Sequence, residues 1–213
     1  MLDERRWNEL LKRLCGKDCS GKSFQRIVDA YSEPHRSYHT VDHIEACLSE
    51  FDRIRVVCES PDQVEYALWL HDVVYDPRAS DNEEMSALLA MEMLYNSGCP
   101  EHRANQVREL ILITKHVQPP VSMDARLMVD IDLAILGQPS VIFGIYEKNI
   151  RAEYSWVPEE SYRTGRSKVL LGFLQRAAIF FTERFEEFYG VQARKNLENS
   201  LHALGGATGT MRH

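Results

Sequence analysis

The chain has 213 residues, of which 44% are hydrophobic and 27% charged, and its formal net charge is -7. This composition is typical of a globular protein and excludes a collagen-like or intrinsically disordered chain. No stretch approaches the roughly 18 uninterrupted apolar residues that a membrane span needs. Because a negative net charge repels nucleic-acid phosphates, we do not expect binding to nucleic acid, and any phosphate chemistry should concern small molecules.

The N-terminus and the cysteines indicate a cytoplasmic protein without disulfides. The first residues lack the basic-then-apolar order of a secretory signal. The five cysteines are odd in number and none are spaced as CxxC. Neither a disulfide framework nor a zinc knuckle is therefore expected, and the thiols should be reduced.

Apolar residues recur at three- and four-residue spacing through nearly the whole chain, and no run alternates in the way of a β-strand. We therefore predict an all-α fold of about eight to ten helices. In chain order, the predicted helices cover about 4–14, 24–32, 40–57, 61 to the pair His71-Asp72, 81–96, 101–116, 125–136, 139–154, 160–188 and 190–202.

Two histidines four residues apart lie at the start of the third predicted helix. His39 and His43 would share one face of that helix, which suits a metal ion, or one ligand and one acid/base group. Surface or capping histidines explain the pair equally well when it is considered alone. A zinc-protease motif is excluded, because it requires Glu directly after the first His and Thr40 stands there.

A His-Asp pair follows the apolar fourth helix. Adjacent helical residues point about 100° apart, so His71 and Asp72 reach one ion only if both side chains bend into a shared cavity. Imidazole and carboxylate form a mixed N/O set that suits Mn²⁺, Fe²⁺, Co²⁺, Ni²⁺ or Zn²⁺. The alternative is a partly buried histidine whose hydrogen-bonding groups are satisfied by the neighbouring aspartate.

Two acidic residues, Asp130 and Asp132, interrupt the apolar run of the seventh predicted helix. Burial of an unpaired carboxylate is costly, so at least one of them should meet a cation. Asp130 could instead cap a helix N-terminus. Asp132 lies inside the run and lacks that explanation, which makes it the stronger candidate.

In chain order, His43, His71-Asp72 and Asp132 resemble the ligand pattern of HD-domain phosphohydrolases. The resemblance covers about residues 25–200 and is to a group of metal-dependent HD phosphohydrolases related to cyclic-nucleotide phosphodiesterases. Four segments carry it: Arg36-Ser37-Tyr38-His39 through His43-Ile44, His71-Asp72-Val73-Val74-Tyr75, Asp81-Asn82-Glu83-Glu84 with Ser86-Ala87, and Asp132-Leu133-Ala134-Ile135-Leu136-Gly137. It implies an HD-domain helical bundle.

The chain length allows a single domain over residues 1–213. Within it we expect a metal-site core at about 24–136, C-terminal helices at about 139–202 and a flexible tail at 203–213. The sequence leaves the oligomeric state open.

The resemblance implies a metal-dependent phosphohydrolase that cleaves a phosphoester of a small molecule, such as a nucleotide, with metal-activated water. The implied ligands of a divalent ion are His43, His71, Asp72 and Asp132, with Asp72 also counted as catalytic. The ion is Mn, Co, Ni, Fe, Zn or Mg. By position, His39 corresponds to the general acid of the phosphodiesterases.

Six further residues are candidates for contacts with the substrate or with the ligands: Arg36, Asp76, Glu83, Glu84, Lys115 and His116. Arg36 and Lys115 could neutralise phosphate, although most exposed charges form a solvated face. Glu83 and Glu84 are explained equally well as helix caps. Dinuclear HD proteins add two histidines before the last Asp, but here His102 is expected at the surface. A mononuclear site is therefore predicted, with His116 near the ligands or at the helix dipole.

One departure from the family pattern keeps an alternative open. HD hydrolases of guanosine tetraphosphate carry an acidic pair shortly after His-Asp. This chain has Tyr75 and Asp76 at the corresponding positions, so only Asp76 matches the pair. The alternative is a catalytically silent HD fold that binds a nucleotide or a partner protein. Retention of the four ligands and of His39 favours the enzyme. A di-iron oxygenase would need more ligands than the sequence offers.

Overall fold

The computed structural model of the chain describes residues 2–16 and 23–205. Every regular element within these ranges is helical, which confirms the predicted all-α fold. The chain divides into two compact units, Met1–Asp132 and Leu133–His213. Among the described residues, no single helix is long and apolar enough to cross a membrane, although the bent pair Met123–Gly137 and Ser140–Glu153 together meets that length and composition.

The α-helices are α1 (Glu4–Cys15), α2 (Ser23–Tyr31), α3 (Val41–Ile54), α4 (Pro61–Leu70), α5 (Asn82–Asn96), α6 (Glu101–Leu112), α7 (Met123–Leu133), α8 (Ser140–Glu153), α9 (Glu159–Leu174), α10 (Glu183–Phe185) and α11 (Val191–Gly205). Short 3₁₀ turns follow α3, α6 and α7, at Arg55–Val57, Ile113–Lys115 and Ala134–Gly137. A π-helical turn over Glu186–Gly190 joins α10 to α11.

Helix α4 forms the centre of the first unit. All of its residues from Val64 to Leu70 are buried, and it packs against α1, α3, α5 and α6. Trp7 of α1 stacks on Tyr66, with 5.1 Å between the ring centroids. A helix that is apolar on all sides is stable only when other helices surround it. The C-terminal end of α4 therefore delivers His71 into the interior of the unit.

A buried carboxylate fastens α1 and the turn after α3 to α4. Glu65 is 1% exposed and accepts hydrogen bonds from Arg6, Arg13 and Arg55 at 2.7, 3.0 and 2.5 Å. The burial of this charge is tolerated because the three guanidinium groups replace its water.

Helix α11 forms the centre of the second unit, where it packs against α8, α9 and the turn after α7. The buried amide of Asn196 donates to the carbonyls of Leu136 and Gln138, both at 2.8 Å. A Cβ at Gly137 would lie 2.4 Å from the Cβ of Tyr189, so this close approach requires glycine. These contacts fix the turn against α11.

The continuous helix predicted over 160–188 is wrong, because the chain leaves the helix after Leu174 and re-enters it at Glu183. The guanidinium of Arg194 donates to the carbonyl of Leu174, the last residue of α9, and to those of Arg176 and Ala177 in the loop after it. The carboxylate of Glu186 accepts from two backbone N–H groups of the connecting loop. These side chains satisfy backbone groups that the helix would otherwise pair.

The other predicted helices are present, with shifts at their ends. Helices α3 and α6 end at Ile54 and Leu112, and 3₁₀ turns replace their predicted last residues. Helix α11 continues to Gly205, so the predicted flexible tail is helical where it begins. The rest of that tail, from residue 206, lies outside the described residues.

Candidate metal centre

Three segments of the first unit bring four side chains to one point. His43 lies in the first turn of α3, His71 and Asp72 directly follow α4, and Asp132 lies near the end of α7. The two histidines are 5% and 1% exposed. The two carboxylate side chains are 16% and 17% exposed. The residues predicted as ligands thus form a cluster that is buried on its histidine side.

The spacing of the ligand atoms fits a single divalent ion. The Nε2 atoms of His43 and His71 are 3.2 Å apart. Asp72 Oδ2 lies 3.4 and 3.1 Å from these two nitrogens, and Asp132 Oδ1 lies 3.4 and 3.6 Å from them. Ligand atoms about 2.0–2.2 Å from a divalent ion lie roughly 3–3.5 Å from one another. The residues present therefore suit such an ion.

The backbone of α4 selects the nitrogen that His71 presents to the cluster. Its Nδ1 lies 3.0 Å from the carbonyl oxygen of Leu68. A carbonyl only accepts, so Nδ1 carries the hydrogen and Nε2 faces Asp72 and His43. A second hydrogen bond of this kind fixes the ring of a metal-binding histidine.

Opposite charges shift the pKa values of all four groups. Burial alone would lower the pKa of His71, but attraction to Asp72 and hydrogen bonds to Asp132 and Asp72 raise it well above its ordinary value. Burial alone would raise the pKa of Asp72, but the charges of His71 and then His39 hold it well below its usual range. Burial alone would lower the pKa of His43, but the charges of Cys47 and Tyr38 and hydrogen bonds to Asp132 and Asp72 raise it well above its ordinary value. Burial alone would raise the pKa of Asp132, but hydrogen bonds from His116, His43 and His71 hold it well below its usual range.

Cys47 is a residue of the cluster that the sequence analysis missed, although its i,i+4 spacing from His43 on a predicted helix could have revealed it. His43, Cys47, His71 and Asp132 have ligand atoms that all lie within 4.8 Å of one another, and this group could hold a metal ion. Cys47 Sγ lies 3.8 Å from both ring nitrogens of His43. The sulfur is thus slightly farther from His43 Nε2 than Asp72 Oδ2 is, at 3.4 Å.

His39 lies beside the cluster, in the segment that connects α2 and α3. Its ring centroid is 5.9 Å from that of His43. It stacks on Tyr75, with 4.2 Å between centroids and 30° between ring planes. A side chain that can donate a proton therefore lies next to the predicted ligands.

Arg36 connects two segments of the site. Its buried guanidinium donates to the carbonyls of Asp72, Val73 and His39 at 2.7, 3.0 and 3.2 Å. It also pairs with Glu33 at 3.0 Å. Of the two roles predicted for Arg36, these bonds fit contact with the ligand segment better than contact with substrate phosphate.

His116 contacts one of the predicted ligands. Its Nε2 lies 3.1 Å from Asp132 Oδ2, while the other oxygen of Asp132 faces His43 and His71. Within residues 2–16 and 23–205, His116 is the only non-glycine residue with positive φ, at 55°. Such backbone conformations concentrate at functional sites. His102 is exposed in the first turn of α6, as predicted.

The remaining candidates have partners in the segments around α5. Lys115 Nζ donates to Glu84 at 2.5 Å and to the carbonyl of Ser80 at 2.8 Å. The hydrogen bond between Lys115 and Glu84 lowers the pKa of the carboxyl and raises that of the ammonium. Glu83 adds negative charge near Lys115, and Asp76 Oδ1 accepts from a backbone N–H two residues later. Contact of these residues with a substrate stays a prediction.

Comparison with known protein families, curated proteins and solved structures found no match to this chain. The fold and the site therefore define the class of protein by themselves. It is an all-helical protein in which a cluster of histidine, cysteine and aspartate side chains could hold a metal ion.

Proposed function

We propose that the protein is a metal-dependent phosphohydrolase of the HD superfamily that cleaves a phosphoester of a small molecule such as a nucleotide. The observation that carries the proposal is the convergence of His43, His71, Asp72 and Asp132, with His39 beside them. This N/O set suits Mn²⁺, Fe²⁺, Co²⁺, Ni²⁺ or Zn²⁺. When bound, a divalent ion activates water as a nucleophile and neutralises charge on the phosphoryl group.

The chain's own residues supply orientation and a proton. The hydrogen bond from His71 Nδ1 to a backbone carbonyl keeps Nε2 turned toward the other ligands. His116 engages one oxygen of Asp132 and leaves the other for the cluster. His39 is the group that protonates the oxygen leaving phosphorus, a role that contributes about 10²–10⁴-fold to rate.

Metal content and turnover of matched variants test the proposal. Wild-type protein, His71→Ala, Asp72→Ala and the control His102→Ala are purified without chelator and assayed on a panel of phosphorylated metabolites with Mn²⁺, Co²⁺ or Ni²⁺. We expect wild type and His102→Ala to bind metal and to hydrolyse at least one ester. We expect the two ligand variants to lose both properties. Full metal-dependent activity in either ligand variant would show that the assignment is wrong.

The same experiment separates the enzyme from a catalytically silent HD fold. Absence of bound metal and of turnover with each added ion would favour a module that binds a nucleotide or a partner protein. A His39→Gln variant sharpens the distinction. In the enzyme we expect this variant to keep its metal and to lose turnover.

A further inference from the structure

We infer that Tyr75 is a positioning residue for His39, and that the site is thereby adapted to phosphate esters of alcohols. The inference rests on the proposed function, because it concerns the proton that His39 donates. It concerns a residue that lies outside the predicted ligand set and acts through another side chain.

The contact between the two rings is close and partly buried. Their centroids are 4.2 Å apart and their planes differ by 30°. Tyr75 is 9% exposed, whereas His39 is half-buried. Stacked aromatic rings at this separation attract one another beyond simple burial. Because contact on one ring face removes rotamers, Tyr75 restricts the directions in which His39 can present its nitrogens.

Tyr75 is itself held in place. Its backbone carbonyl lies 2.8 Å from His35 Nε2. The guanidinium carbon of Arg36 lies 5.4 Å from its ring centroid, within cation–π distance. The same guanidinium donates to the carbonyls of His39 and Asp72. One buried arginine thus fixes the backbone of His39 and contacts the ring on which His39 stacks.

The need for a positioned proton donor depends on the leaving oxygen. An alkoxide is a strong base and must be protonated as it departs, whereas a nitrophenolate or a pyrophosphate leaves readily without a proton. A positioned His39 therefore accelerates the hydrolysis of alcohol esters, for example at a sugar hydroxyl, more than that of phosphoanhydrides and activated aryl esters. The substrate class is accordingly an alkyl phosphoester.

Leaving-group dependence of Tyr75 variants tests this inference. Esters of p-nitrophenol, phenol and glycerol, as monoesters and as diesters, are assayed with the Mn²⁺-loaded wild type, Tyr75→Leu and Tyr75→Phe. We expect Tyr75→Leu to lower kcat about tenfold or more for the glycerol ester and about threefold or less for the p-nitrophenyl ester. Tyr75→Phe keeps the ring and should follow wild type throughout.

Two results overturn the inference while leaving the proposed function intact. Equal losses of Tyr75→Leu on all three leaving groups would indicate a structural defect. An equal loss in Tyr75→Phe would show that the ring is not the operative group. A wild type that hydrolyses no ester of the wider metabolite panel overturns the proposed function, and this inference with it.

A second measurement does not depend on turnover. A stacked aromatic ring should shift the NMR signals of the His39 ring protons, and we expect that shift in wild type and Tyr75→Phe but not in Tyr75→Leu. An unchanged shift in Tyr75→Leu would overturn the stack. Thermal unfolding reports whether each variant is folded. If Tyr75→Leu is unfolded, Tyr75→Met takes its place in both measurements.

Discussion

Protons and a metal ion compete for the candidate metal centre, so rising pH should lower the stability of the metal-free protein but not that of the metal-bound protein. The pKa of His71 is raised because attraction to Asp72 outweighs burial. A histidine whose pKa is raised on folding stabilises the folded state. The stabilisation is fully present at a pH below the pKa of the unfolded state, about 6.5, and is lost as the pH rises through the pKa of the folded state. The lowered pKa of Asp72 contributes stability above about pH 3.9, which is lost as pH falls through its folded value.

The number of extra protons that the folded state binds sets how steeply the free energy of unfolding changes with pH. The Nε2 atoms of His43 and His71 are 3.2 Å apart, so the two rings titrate as a coupled pair. Between the unfolded and folded pKa values, each extra proton on the folded state lowers the free energy of unfolding by about 1.4 kcal/mol per pH unit. With one to two such protons, metal-free protein should lose about 1.4–2.7 kcal/mol per unit above pH ~6.5.

Urea denaturation between about pH 6 and 8.5, with EDTA or with saturating Mn²⁺, measures both slopes. A bound ion would displace the protons of His43 and His71, so metal affinity should rise with pH. Metal-bound stability should rise only until the unfolded histidines lose their protons, near pH ~6.5, and should then stay flat. The control His102→Ala should leave both slopes unchanged. A metal-free stability that is flat or rises over this range would refute the reasoning.

Two further predictions concern the buried Glu65 of α4 and His116 beside the metal centre. Glu65→Gln leaves three arginines facing an uncharged amide. The arginine side chains are 26–38% exposed and can regain water. Urea denaturation should therefore show that the free energy of unfolding falls by about 2–3 kcal/mol, rather than by the 3–5 kcal/mol expected when a fully buried pair is broken. A loss below about 0.5 kcal/mol would contradict this. His116→Ala removes the partner of Asp132 and should weaken Mn²⁺ binding about 10–100-fold by calorimetry, whereas His116→Gln keeps a donor and should lose less. Unchanged affinity in His116→Ala would contradict the positioning role.

Helical periodicity predicted the α-helices but not every break between them. The loop after Leu174 contains neither glycine nor proline up to Glu183. It is stabilised by Arg194 and Glu186, whose side chains bond the freed backbone groups from later in the chain. Such a break depends on tertiary contacts, which the local pattern of apolar residues does not contain.

Residue type and order indicated the ligand candidates, and tertiary structure decides which of them meet. Periodicity made Asp132 the stronger candidate but could not show what it contacts. Asp130 is 0% exposed, while Asp132 reaches the nitrogens of His43 and His71 from the end of α7. Cys47 is the opposite case. The sequence suggested only an ordinary reduced thiol, yet the folded chain places its sulfur against His43.

The residues that hold the ligands were the hardest to predict, because their contacts are largely with backbone atoms. The charge of Arg36 suggested phosphate binding, yet its guanidinium is occupied by carbonyls of the ligand segment. A side chain's chemistry limits what it can bind, while the fold decides which partner it receives. His116 itself ends the turn after α6 in the left-handed conformation, and its side chain contacts Asp132. Since these partners orient the ligands, changing Arg36 should disturb the position of Asp72 before it affects any substrate charge.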